Sequence, residues 1–308
     1  MISESKQVEG VEMRYPFRIC MNNASLYIMD LHAATYYCHR FKYPSMEYVT
    51  SFGKRGEAPD EFLDAENIRL DRFSNIWFLD ANKNQIVCFN QNSHQRVIKL
   101  DKQLVRSLDF DFYGDSVFVV PDYSGTHRFH LVNFQGEIVS SRGSLPVKEK
   151  DKNIPDIVYA QAWRSFLNYN RHNDVLALVT QLGEVIELYS LGGDSLICTI
   201  KGKHGDPVFR YSKGYAIPTG IMGYSDVFVG DKYVYALFWG HSFDDLKREI
   251  VTVEGGNQIH VFDLAGNPVK CYHLERYITG FCVDEKHSVI LGLDVNSDQP
   301  VVECKIAE

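Results

Sequence analysis

The sequence predicts an all-β chain wound as a six-bladed β-propeller with four antiparallel strands per blade. One apolar strand recurs six times, a polar turn precedes each copy, and the strand that follows repeats in register with it. The recurring strand occupies residues 26–30 (LYIMD), 76–80 (IWFLD), 117–121 (VFVVP), 176–180 (LALVT), 234–238 (VYALF) and 289–293 (VILGL). Such nearly continuous apolar runs are expected where neighbouring blades cover a strand on both faces.

The turns before these strands carry Asn22-Asn23, Ser74-Asn75, Gly114-Asp115, Asn173-Asp174, Gly230-Asp231 and Glu285-Lys286. Most supply a positive φ or a short side-chain hydrogen bond, and they read as hairpin connections. The third strand of the unit repeats as Asn84-Gln85-Ile86-Val87-Cys88-Phe89-Asn90 and Asn257-Gln258-Ile259-His260-Val261-Phe262-Asp263, with looser copies at 128–133 and 184–189. Its alternation suggests a strand with one wetter face. A tight turn then leads to the outer strand, as in Asn133-Phe134-Gln135-Gly136 and Asp263-Leu264-Ala265-Gly266. Glycine followed by proline at 53–59, 143–146 and 202–207 marks where the chain leaves one blade for the next. The last unit, 277–308, holds three strands, so a stretch near residues 6–13 is expected to supply the fourth and close the ring. No composition break interrupts the series, and a single domain over 1–308 is expected.

Composition narrows the functional classes. The 308 residues are 45% hydrophobic, with 18 Tyr and 19 Phe suited to pleated, half-buried surfaces. A net charge of −8 with no basic cluster argues against nucleic acid as a partner. The seven cysteines are scattered through strand patterns with no C-x-x-C pair and read as buried free thiols. The first thirty residues lack the charged start and apolar stretch of a secretion signal, and no apolar run approaches the roughly 18 residues of a membrane span. By default this points to the cytoplasm, and to a monomer.

Phe52-Gly53-Lys54-Arg55-Gly56-Glu57-Ala58-Pro59-Asp60-Glu61-Phe62 resembles the F-G-x-x-G-x-x-P-x-E-F segment of NHL-type propellers, with Asp60 where those repeats often carry glycine. It resembles still more closely the TolB-like six-bladed propellers of bacterial cell envelopes. That resemblance implies a six-bladed propeller, often exported and lipid-anchored, and it brings no catalytic residues. An N-terminus trimmed of its signal would reconcile the resemblance with the plain start of the chain.

In a propeller, the connections from outer strand to next inner strand and from second to third strand emerge on one face. The long segments 52–67, 142–163, 201–222 and 240–257 are all of these kinds and should crowd that face, where long loops carry function. They are rich in groups that join area to directional hydrogen bonding. The candidate ligand-binding residues are Arg55, Arg106, Tyr123, Trp163, Arg164, Arg210, Tyr211, Trp239 and His241. Arg106-Ser107-Leu108 and Arg164-Ser165-Phe166 read as equivalent starts of adjacent inner strands, and two guanidinium groups at a channel mouth would favour an anionic ligand. Salt bridges to the many acidic residues are the competing reading.

His127 and His130 stand three apart on an alternating strand, which turns them to opposite faces and away from a shared ion. Gluconolactonase-like propellers hold a divalent cation with inner-strand Glu, Asn and Asp. Here Asp71, Asp109, Asn168 and Asp284 are the candidates, and Asp71 and Asp284 fall at hairpin turns. No nucleophile elbow or phosphate loop is present. The preferred reading is a non-enzymatic propeller, without cofactor or metal, that binds a protein, peptide or small polar ligand at its loop-rich face. The alternative is a divalent-cation-dependent hydrolase of lactonase type.

Overall fold

The six apolar runs become the second strands of six four-stranded antiparallel sheets, the blades of a six-bladed β-propeller. The computed structural model describes residues 3–6, 8–89, 95–104, 106–147 and 149–306. In chain order, β1 (Ser3–Lys6) precedes the first blade, β2 (Pro16–Met21), β3 (Ser25–Asp30), β4 (Tyr36–Lys42) and β5 (Tyr48–Lys54). The next is β6 (Ala65–Leu70), β7 (Ile76–Asp80), β8 (Gln85–Phe89) and β9 (Gln95–Lys99), followed by β10 (Asp111–Tyr113), β11 (Val117–Pro121), β12 (Phe129–Asn133) and β13 (Ile138–Arg142). Helix α1 (Asp156–Ala162) leads to β14 (Ser165–Asn170), β15 (Val175–Thr180), β16 (Val185–Ser190) and β17 (Ser195–Lys201). A separate hairpin, β18 (Phe209–Ser212) and β19 (Tyr215–Pro218), precedes β20 (Tyr224–Val229), β21 (Tyr233–Phe238), α2 (Phe243–Lys247), β22 (Gly256–Asp263) and β23 (Pro268–Ile278). The last blade is β24 (Phe281–Asp284), β25 (Val289–Leu293) and β26 (Val301–Lys305), completed by β1.

The chain divides into two compact units, residues 1–99, 253–257 and 272–308, and residues 100–252 and 258–271. In the first, Met29, Cys38, Ile68 and Phe78 bury against one another between β3 and β7, and Leu26, Ile28, Phe41 and Leu291 form a second cluster. In the second, Ala177, Val179, Ile186 and Leu188 pack on Val227, Val234 and Ala236, while Val119 and Phe129 pack on Leu167, Leu178 and Tyr189. Every position of β3, β7, β15 and β25 is buried, as the continuous apolar runs require. Turn chemistry also matches: Ser74, Gly114, Asp174 and Ser288 take positive φ at the hairpins between first and second strands.

Two expectations need correction. The third strands β12 and β16 are buried at all but their last residue, because apolar neighbours cover both of their faces. The wet positions belong to the fourth strands, where β13 alternates and β17 is exposed or half-buried throughout. The closing strand is β1, pairing Ser3↔Cys304 through Lys6↔Val301, rather than residues 6–13. Val8, Val11 and Met13 instead pack their side chains on the cluster around Leu291, where burial rather than strand pairing holds them. None of the seven cysteines is in a disulfide. Burial pushes the Cys20 and Cys88 thiols up to about 12, which keeps both protonated and unreactive.

Candidate functional site

A buried carboxylate at the end of the second strand ties the two kinds of connection together. Asp30 accepts from the backbone N–H of Arg14 (2.9 Å) and Tyr15 (2.7 Å) on the way into β2, and of His32 (3.2 Å) just past β3. Asp80 does the same with Leu63 and Lys83, both at 2.9 Å. In the second unit Asp122 accepts from Ser124 (2.6 Å) and His127 (2.7 Å), and His130 Nε2 lies 3.4 Å away. Burial alone would raise the Asp122 pKa. Hydrogen bonds from His130, Ser124 and His127 overcome it and hold the carboxyl well below the usual range. His127 is thus a backbone donor to Asp122 and His130 its side-chain neighbour. Asp30 and Asp80 close their strands in the repeat (MD, LD), which is the signal that could have found them.

In the second unit the long connections fold into a platform at this end. Residues 142–163 carry α1, whose Tyr159 and Ala162 join Leu145, Trp163 and Val185 in a small core. The β18–β19 hairpin turns at Lys213 (φ 50°) and Gly214 (φ 86°). It stands on that core through Phe209 and Ala216. The Phe209 ring meets Tyr159 edge-on at 5.6 Å, and the Ala216 N–H donates to Gln161 Oε1 (3.1 Å). Residues 240–252 hold on through backbone bonds from Met222 to His241 (2.8 Å) and from Gly240 to Met222 (3.0 Å), and α2 is capped by Ser242 Oγ at the Asp245 N–H (3.0 Å). Three of the four long segments therefore share one end of this unit. The fourth, 52–67, belongs to the first unit, where Asp80 anchors it at Leu63.

The predicted residues separate into distinct roles. Arg55 bonds the Ala33 carbonyl (3.1 Å) and lies over Tyr37, bracing a loop of the first unit. Arg106 is exposed, with φ 46°, ahead of β10. Its expected equivalence with Arg164 fails on register. Val117 faces Tyr113 and Leu176 faces Tyr169, which sets Leu108 against Arg164 and leaves Arg106 two residues further out. Tyr123 is buried, donates to the Ser165 carbonyl (3.0 Å) and lies under the Arg164 guanidinium at 5.5 Å. Trp163 caps the C-terminus of α1 inside the small core. Arg210 and Tyr211 sit on β18, while Trp239 and His241 follow β21, both half-buried.

A buried pair escaped the sequence reading. Arg128 and Glu187 are each only 1% exposed, with Nε–Oε2 at 2.8 Å. Arg128 also donates to the Trp163 carbonyl (3.1 Å) and Ser165 Oγ (2.8 Å), and Tyr189 donates to Glu187 Oε1 (2.7 Å). The pair clamps the residues on either side of Arg164, fixing where that arginine leaves the backbone. Charged residues inside otherwise apolar third strands (RFHLVN, EVIELY) were the available signal. Beside the pair lies a cleft of ≈ 290 Å³ lined by Arg142, Ser144, Glu187, Tyr189 and Ser195.

The inner-strand oxygens are used within the fold. Asp109 accepts from Phe110 and Leu167 (both 2.8 Å), Asp111 from Tyr169 (2.8 Å) and Asn168 Nδ2 (2.7 Å), and Asn168 Oδ1 from Val229 (2.7 Å). These bonds tie β10 to β14 and β14 to β20. Asp71 holds its own turn, and Asp284 bonds Tyr43 and His287. Among the described residues no group of three His, Cys, Asp or Glu side chains is placed to hold a metal ion.

A search of curated protein sequences returns no match. Solved structures share the fold at low identity. A protein of Bacteroides fragilis assigned as exported is 10% identical over 100% of this chain and 96% of its own, with a TM-score of 0.64. Virginiamycin B lyase from Staphylococcus aureus is 11% identical over 100% of this chain and 89% of its own (TM-score 0.55), and the Pan2 WD40 domain of Neurospora crassa is 11% identical over 96% and 80% (TM-score 0.54). The family model described as TolB-like 6-blade propeller-like matches residues 2–286. With its blades, its turn chemistry and this match in agreement, the chain belongs to the TolB-like six-bladed propeller family.

Proposed function

We propose that this chain is a non-enzymatic binding propeller that recognises a protein or peptide on the loop end of its second unit. Its fold neighbours include a lyase and a WD40 domain, so the architecture itself is neutral between catalysis and binding, and the reading rests on the surface. The observation that carries it is the outward face of the β18–β19 hairpin. Cross-strand pairing puts Arg210 beside Ile217 and Ser212 beside Tyr215 on the face opposite Phe209 and Ala216. Tyr215 is 63% exposed and Ile217 38%, with Tyr211 and Val208 exposed at the rim. An aromatic, an aliphatic and an arginine held in water by a rigid pedestal are what binding hot spots are made of.

Charge narrows the partner. Lys203, Arg210 and Lys213 are exposed around this hairpin in a protein of net charge −8, and among the described residues no acidic side chain pairs with them. A partner segment carrying acidic and apolar side chains complements this ribbon. The cation-dependent hydrolase draws less support, since Asp109 and Asn168 spend their oxygens on neighbouring strands. The family's association with the cell envelope supports a location there, and among the described residues no helix is long and apolar enough to cross a membrane.

Site-specific photo-crosslinking tests the proposal. A benzophenone side chain in place of Tyr215 should give adducts with a partner polypeptide in native cells, whereas the same group at His172, on the short-turn end, should give none. Equal adducts at both positions, or none at Tyr215, would overturn it.

A further inference from the structure

In the second unit, several buried side-chain polar atoms at the loop end have no hydrogen-bond partner: Ser107 Oγ, Arg164 Nε, Ser225 Oγ and Trp239 Nε1. Ser107 is 2% exposed and Ser225 8%. A buried polar atom left unpaired costs roughly 1–3 kcal/mol, and native proteins seldom tolerate it without a ligand or water. Finding several at one end of one unit points to something that binds there.

Backbone hydrogen bonds link Arg164 to Trp239 through two intervening strand ends. The Gln181 N–H bonds the Arg164 carbonyl (2.8 Å), the Gly223 N–H bonds the Gln181 carbonyl (2.8 Å), and the Trp239 N–H bonds the Gly223 carbonyl (2.9 Å). Each rung is one strand spacing. Ser225 is the extra residue of a β-bulge between Tyr224↔Phe238 and Asp226↔Leu237, a distortion that re-aims a side chain. Ser107 is held at the same end because Asp109, two residues on, accepts from the Leu167 N–H (2.8 Å), three residues past Arg164.

The chemistry of the set is one-sided. A guanidinium and an indole N–H only donate, and the two hydroxyls can. The nearby acceptor Asp109 is already occupied by two backbone N–H groups, and burial keeps the Tyr123 phenol under Arg164 protonated. One cation among neutral donors matches a monoanionic carboxylate better than a phosphate dianion. Arg164 is also pre-positioned, its neighbours held by Tyr123 and by the Arg128–Glu187 pair.

We infer that Arg164, Trp239, Ser107 and Ser225 form a binding site for a carboxylate, separate from the hairpin surface proposed above. The carboxylate belongs either to a small free acid or to the end of a peptide. The readout is the indole N–H resonance of Trp239 in the intact chain, assigned with Trp239→Phe. Titration with succinate, or with N-acetyl-dialanine bearing a free C-terminus, should shift that resonance saturably. Acetamide and the amidated dipeptide should leave it in place. The stronger of the two acids names the source. Arg164→Lys should weaken the titration at least about tenfold with the other two indole resonances unchanged, which shows that the variant is folded. A Trp239 resonance unmoved by either acid, one moved equally by the neutral amides, or full affinity in Arg164→Lys would overturn the inference. Crosslinking at Tyr215 is read independently, so either proposal can fail alone.

Discussion

At the short-turn end of the second unit, Asp174 accepts from Tyr169 (2.9 Å), Ser190 (2.6 Å) and Gly192 (2.9 Å), while Asn170 and Asn173 reach the carbonyls of Val229 and Gly230 in the next blade. At the loop end, Ser107, Arg164, Ser225 and Trp239 bury polar atoms without a partner, and Tyr211, Tyr215 and Ile217 stand in water. The same blades carry both arrangements. Where every polar group is spent on the fold, a side chain contributes stability. Where groups are withheld from it, the end keeps its capacity to bind. Substitutions should divide accordingly.

The largest stability loss is expected between the two ends, at the buried pair. Glu187→Ala leaves Arg128 uncompensated in the core and should cost about 3–5 kcal/mol by chemical denaturation. A cost under about 1 kcal/mol would mean that the pair does not clamp the chain around Arg164.

Glycines sharpen the comparison next. Gly114, at a short turn, and Gly183, at the loop end, share φ 73°. A Cβ on Gly114 meets nothing, whereas one on Gly183 falls 2.7 Å from the Gly205 carbonyl oxygen and 2.8 Å from the backbone of Asp206 and Pro207. Gly114→Ala should cost roughly 1–2 kcal/mol of left-handed strain. Gly183→Ala should cost clearly more and displace the 201–222 connection. Equal costs would show that the loop end is soft.

One carboxylate at each end makes a pH test. Both Asp122 and Asp174 have folded-state pKa values below the 3.8 of an ordinary aspartate, against the opposing effect of burial, because hydrogen bonds favour the charged form. Each therefore contributes stability that is fully present above pH 3.8 and is lost as pH falls towards the folded value. Denaturation at stepped pH should show a smaller acid loss in Asp122→Asn, and a smaller change again in Asp174→Asn, whose carboxyl is the less strongly perturbed.

The smallest effect belongs to the exposed ribbon. Tyr215→Ser and Ile217→Ser should each change stability by no more than about 0.5 kcal/mol. Combined with a photo-crosslinker at Tyr211, either substitution should remove most of the adduct. Intact crosslinking in both would move the recognition surface elsewhere.

Much of this architecture was legible because its signals are local. The run IWFLD and the turn before it sit within a few residues of each other, and period and turn chemistry assign them to a strand and a hairpin wherever the blade lies. The count of blades, the boundaries of the second strands and the loop-bearing connections follow from such signals. Burial of β12 and β16 did not, since their alternation of residue types was outweighed by apolar neighbours on both faces. Nor did β1, where four polar-looking residues pair with β26 because that edge was open.

By itself the sequence determined the repeating unit, the turns, the length of the connections and the residue types available at one end. Only the tertiary structure decided that Arg128 meets Glu187 across 59 residues, that Arg164 aligns with Leu108 rather than Arg106, and that the hairpin turns Tyr215 outward while the half-buried Phe209 packs on the small core. Periodicity reports what each residue does to its chain neighbours. Which partner satisfies a charge, and which donor is left without one, depends on blades that touch only after the chain has folded.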